Sequence, residues 1–173
     1  MKEKISEAYK ETISNCIREE DLTDRSAILI KNVEEGFADY EYLILQGEEE
    51  AFAKFLSQVM VLNGIADSYA DFYYARLDEK QKEHFQNALS EENLSFLISG
   101  TWSEGIYYPL DGKLLHFLLE ITAQELLFST FYFTGYACTV WGNYGLRFPA
   151  FFKDNETKER YQKLAEACGL TTE

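Results

Sequence analysis

Apolar residues recur at three- and four-residue steps through the first two thirds of the chain, then give way to a near-continuous run of rings. Ile5, Ala8, Tyr9, Ile13, Cys16 and Ile17 share one helical face, which predicts a helix from Lys2 to Glu20. Ile30, Val33, Phe37, Tyr40 and Ile44 continue the same stepping, and Gly47 follows where a C-terminal cap would sit. The spacing favours one helix over residues 25–46. Two strands, Ile28–Ile30 and Tyr40–Leu45, are the alternative, and Gly36 speaks against an uninterrupted helix. Phe52, Phe55, Leu56, Val59 and Leu62 predict a helix from Glu48 to Asn63, opened by three glutamates that complement its dipole. Tyr69, Phe72, Tyr73 and Arg76 predict another over Ala66–Leu77, and Glu79–Leu89 a charged surface helix.

After Ser90 the texture changes. Leu94–Ile98 is a short apolar run that leads into loop chemistry at residues 99–105. Ile106–Tyr108 predicts a short strand ended by Pro109. Lys113–Leu127 returns to helical spacing, with Leu114, Leu115, Leu118, Leu119 and Leu126 as its buried stripe. Beyond Phe128, Thr, Tyr, Phe, Val and Trp dominate, and Gly135, Gly142 and Gly145 interrupt them. This predicts antiparallel strands over Ser129–Phe133, Ala137–Trp141 and Leu146–Phe152. A helix running on to Tyr136 is the alternative. Asn155–Cys168 closes as an amphipathic helix stopped by Gly169. The expected fold is therefore α+β, a helical body with a small antiparallel sheet from the aromatic C-terminal third, with all-α as the runner-up. At 173 residues, one globular domain over 1–173 is expected.

Charge sharpens this layout. The net charge is −14, and residues 1–125 hold 25 acids against 11 bases, whereas residues 126–153 hold only Arg147 and Lys153. Ten of the 27 aromatic residues lie between Phe128 and Phe152. Such a field repels phosphate backbones, so nucleic-acid binding is not expected. The uncharged stretch Leu126–Leu146 is long enough to span a bilayer but is diluted by Ser, Thr, Gly and Asn, so no membrane contact is expected. The polar start MKEKISEAYKETIS and three scattered cysteines, Cys16, Cys138 and Cys168, point to a cytoplasmic protein with reduced thiols.

Catalytic chemistry is thinly represented. His84 falls on the charged helix and His116 beside the leucine stripe, neither at a metal-binding spacing. Cys138 sits in an apolar strand and Ser103 in a loop that is not a nucleophile elbow. Asp67 and Asp71 would share one face of the helix expected there, and phosphate-binding glycine loops are absent. No catalytic residue, metal site or cofactor is assigned, and a binding role is expected ahead of an enzymatic one.

Two features remain. Residues 32–53 carry Glu34, Glu35, Asp39, Glu41, Glu48, Glu49 and Glu50 with no base between them, a band suited to steering a basic protein partner. The segment 141–149 sets Trp141, Asn143 and Tyr144 in a glycine-rich turn beside Arg147. Trp102, Tyr107 and Tyr108 would join it if the two loops met, as a binding hot spot or pocket lining. The first feature leads to an acidic protein that sequesters or neutralises a basic partner, in the manner of an antitoxin or immunity protein. The second leads to a small enzyme or ligand binder with a pocket under residues 128–152, where His116 or an acid would carry a proton.

Overall fold

A computed structural model describes residues 16–102 and 105–173. Its elements, in chain order, are α1 (Glu19–Asp24), α2 (Val33–Asp39), β1 (Glu41–Gln46), α3 (Glu49–Asn63), β2 (Ser68–Asp71), α4 (Glu79–Ala88) and α5 (Glu91–Ser99). They continue with β3 (Tyr107–Pro109), α6 (Gly112–Ala123), β4 (Thr130–Phe133), β5 (Cys138–Trp141), β6 (Arg147–Phe152), α7 (Asn155–Ala167) and β7 (Thr171–Thr172). The fold is α+β. The strands form one antiparallel sheet in the order β3-β2-β4-β5-β6-β1-β7.

The aromatic third folds as its composition dictates. β4, β5 and β6 pair consecutively, and the alternation of side chains sorts their rings between two faces. Phe131, Phe133, Cys138, Val140, Phe148, Ala150 and Phe152 join the main core with Phe52, Phe55 and Val59 of α3, the leucines of α6, and Tyr161 and Ala165 of α7. Phe52 meets Phe148 at 4.5 Å between ring centroids, and Phe152 meets Tyr161 at 5.3 Å. Each such fully buried ring contributes roughly 1.5–3 kcal/mol.

The opposite face carries Tyr69, Thr139, Tyr132 and Phe151, and residues 17–40 run across it. Ile17 bridges to Tyr107 on the β3 edge, and Leu22 of α1 packs on Tyr69 and Tyr132. The Ile28 carbonyl accepts the Thr139 hydroxyl at 2.7 Å, and α2 lies on Phe151 through Gly36. The sheet thus has a thick helical layer on one side and a thin N-terminal strap on the other.

Four sequence expectations need correction. Residues 25–46 are not one helix: α2 ends at Asp39, the backbone is extended at Tyr40, and β1, close to the alternative strand Tyr40–Leu45, pairs with β6 over six residues, Glu41 with Phe152 through Gln46 with Arg147. The apparent helical stripe through Ile44 is overridden by this long-range pairing. Residues 66–77 are not a helix either. Ser68–Asp71 is an interior strand between β3 and β4, too short for its alternation to stand out from the flanking rings.

The helix expected to end at Glu20 lies largely outside the described residues. Within them, Ile17 is in a β-bridge and α1 begins only at Glu19, after an Arg18 amide that donates to Asp21 Oδ2 at 2.9 Å. The helix expected to reach Leu127 stops at Ala123, because Glu125 turns to positive φ (59°). The apolar run 94–98, read only as a run, is part of α5, which Ser90 caps.

Candidate functional site

The seven acids of the 32–53 band are contiguous in sequence and divided in space. Glu34, Glu35 and Asp39 ride on α2, on the strap side of the sheet. Glu35 is committed locally: its carboxylate accepts the Lys31 amide at 2.7 Å while its own amide donates to Asn32 Oδ1 at 2.9 Å, a reciprocal cap. Glu41 opens β1 and pairs with Lys158 of α7 at 3.2 Å. Glu48 precedes α3, and Glu49 and Glu50 open it, on the other side of the sheet and beyond the far end of β1. The six residues of β1 alone set the groups about 17 Å apart. That exceeds the Debye length of about 8 Å at physiological ionic strength, so the acids act as two patches rather than one band.

The aromatic set is likewise divided. Trp102 is a packing residue: its indole N–H donates to the Leu97 carbonyl at 2.9 Å, and its ring meets Phe72 and Tyr108 edge-on at 4.8 and 5.4 Å. Tyr108 is buried and donates to the Gly105 carbonyl at 2.9 Å. Tyr107 points to the strap face against Tyr132, where burial, and then the nearby Glu19 carboxylate, push its hydroxyl up to about 12. Trp141 and Asn143 are half-buried at the end of β5. Tyr144 is exposed and edge-on to Phe128 at 4.6 Å, and Arg147 pairs with Glu173 at 2.9 Å. β2 and β4 stand between β3 and β5, so about 14 Å of sheet separates Tyr107 and Tyr108 from the 141–147 turn. The two loops do not meet, because the strand order puts β3 at the edge.

His84 is exposed on α4. Cys138 is fully buried, and burial raises its thiol well above the ordinary range, which suits an inert core thiol. Ser103 lies outside the described residues. Asp67 and Asp71 do not share a helix face: Asp67 ends a single 3-10 turn and accepts the Thr134 hydroxyl at 2.9 Å, while Asp71 ends β2. Among the described residues, no three His, Cys, Asp or Glu side chains converge as a metal site, and no helix is long and apolar enough to cross a membrane.

Two arrangements emerge only in three dimensions. The first is a buried carboxyl. Asp71 is 2% exposed, accepts the Thr130 amide at 2.7 Å and the Tyr132 hydroxyl at 3.0 Å, and has no salt bridge among the described residues. Burial pushes it up to about 7, with both hydrogen bonds pulling the other way. An acid set among aromatics in Ser-Tyr-Ala-Asp-Phe-Tyr-Tyr was the available sequence signal.

The second is a trough between α3 and α6. Glu50, Ala53, Ser57 and Val61 line it by steps of three and four, facing Gly112, Leu115 and His116. At its outer end Val61 and Ile65 are 79% and 74% exposed. At the other end Glu49 is raised by partial burial and then by the charge of Glu120, with His116 opposing. A neighbouring hollow of about 550 Å³ between α5 and α6 has Phe96 and Phe117 in its wall and Lys113, His116 and Glu120 around it. Beside it, the Asn93 side-chain N–H₂ is buried without a hydrogen-bond partner among the described residues.

No protein-family model matches this chain, and neither a curated protein nor a solved structure is significantly similar to it.

Proposed function

We propose that this is an acidic binding protein that captures a basic protein partner, in the manner of an antitoxin or immunity protein. The reading is carried by how the two signs of charge are used. Several basic side chains are spent within the fold. Arg25 donates to the Ala66 carbonyl at 3.1 Å, and Lys153 to the Ser26 carbonyl at 2.7 Å. Lys158 and Arg147 pair with Glu41 and Glu173, and Arg160 lies 4.4 Å over the Tyr136 ring. Some acids are spent in the same way, Glu41 and Glu173 in these pairs and Glu35 as a cap, but five acids of the 32–53 stretch are not. Glu34, Asp39, Glu48, Glu49 and Glu50 are exposed and make no salt bridge among the described residues. The excess of negative charge is therefore presented outward, where it accelerates encounter with a cationic surface and opposes encounter with an anionic one.

Affinity capture on the immobilised protein from its native cell, at low and at high salt, tests the reading. A protein of high isoelectric point, retained at low salt and released at high salt, is the expected result. Retention of an acidic protein, or of a basic one with no dependence on salt, would sink it.

A small-molecule function is supported by a different observation, the hollow between α5 and α6 with its Asn93 amide unpartnered among the described residues. It does not lie under residues 128–152, none of which lines it. A stoichiometric small molecule retained in native mass spectrometry, and lost in a His116→Ala variant, would move the reading there.

A further inference from the structure

We infer that the trough between α3 and α6 is where the basic partner docks, by one amphipathic helix whose apolar end seats on Met60, Val61 and Ile65 and whose lysine or arginine end faces Glu49, Glu50 and Glu120. The inference rests on the reading above and gives it a place.

Shape comes first. Two hollows of about 310 and 420 Å³ share Ser57 and Gly112, so the trough is continuous along α3. Its floor is open because Ala53, Ser57 and Gly112 are small, and a side chain on Gly112 would meet nothing within 4 Å. From Glu50 to Val61 the helix rises about 16 Å, or three turns. An occupant helix would therefore carry its apolar and cationic ends about three turns apart.

Charge fixes the polarity. Acids in the first turn of α3 are explained in part by that helix's own dipole. Glu120 is not. It stands in the last turn of α6, where no base is present and the dipole disfavours negative charge, and it repels Glu49. Glu50 lines the trough and Glu120 the neighbouring hollow, so this end gathers mutually repelling carboxylates of α3 and α6 that an incoming cation would relieve. Lys54 occupies the middle of the trough, which disfavours a partner's positive charge there and leaves it to the Glu49 end. The rival patch on α2 lacks this form. Its exposed rings are already satisfied, Phe37 against Tyr42 at 4.8 Å and against Phe151 at 5.4 Å, and Glu35 is used as a cap.

The probes are two synthetic peptides of identical composition. One has leucines in its first turn and lysines three turns later, and the other has the same residues scrambled. Titration into the isotope-labelled protein should move α3 and α6 amides with the first peptide and bind the second more weakly. Val61→Asp with Ile65→Asp should weaken binding about tenfold at any salt, whereas Glu49→Lys with Glu50→Lys should weaken it about tenfold at low salt only. All four sites are at the surface, so folding should survive, which circular dichroism would confirm. Absence of shifts along α3 and α6 overturns the inference, as do shifts centred on Glu34–Asp39 or wild-type affinity in both double variants. Binding centred on α2 would leave the basic-partner reading intact. Failure of both peptides, together with failure to capture any cationic protein, would end both.

Discussion

Asp71 shows how one side chain couples the fold to pH. Its carboxyl is held up to about 7 by burial, against an ordinary value near 3.8. The folded state therefore binds the proton more tightly than the unfolded state. Its contribution to stability is complete below about pH 4, is lost as pH rises from about 4 to 7, and is constant above that. Three pKa units correspond to a ceiling of roughly 4 kcal/mol, reduced by relaxation around the site. Asp71→Asn keeps an acceptor for the Thr130 amide and removes the charge. It should flatten the stability profile between pH 4 and 7 and be more stable than wild type at pH 8, by urea denaturation. An unchanged slope would show that Asp71 ionises normally. The sequence held the residue but not its state, because burial depends on β2 being an interior strand.

At the scale of elements, what was legible followed from local chemistry. β4, β5 and β6 were readable because strand-forming residues and spaced glycines agree there, and α3, α4 and α7 because helical spacing and polar patterning agree over their whole length. α2 and β2 were not readable, and β1 was reached only by the alternative strand over Tyr40–Leu45, since long-range partners decide them. Gly36 is the clearest case. In the sequence it looks like a flaw in a helix. In the fold it is the point where α2 touches the sheet: a Cβ there would stand 2.5 Å from the fully buried Phe151 ring. Helix propensity predicts that Gly36→Ala stabilises by about 1 kcal/mol. Overpacking against an immobile ring costs about 1–3 kcal/mol. The contact should win, so the variant should be less stable, with faster hydrogen exchange confined to residues 33–40. A gain in stability would mean that α2 does not pack closely on β6.

At the scale of the whole molecule, the sign and size of the field were legible and its geometry was not. Composition fixes −14, but only the sheet reveals that the band at 32–53 is cut into an α2 patch and an α3 patch, and that Trp102 and Arg147 belong to separate neighbourhoods. The trough itself had no sequence signature, because Val61 falls off the predicted apolar face of its helix and Ile65 falls between two predicted helices. The account therefore stands on electrostatic capture of a cationic partner at one side of the molecule. The most direct measurement is the association rate with the captured basic protein as ionic strength rises, for wild type, Glu49→Lys/Glu50→Lys and Glu34→Lys/Asp39→Lys. The account predicts a steep fall with salt for wild type, about tenfold slower association at low salt for the α3 pair, and a smaller effect for the α2 pair. A rate indifferent to salt and to both reversals would contradict it.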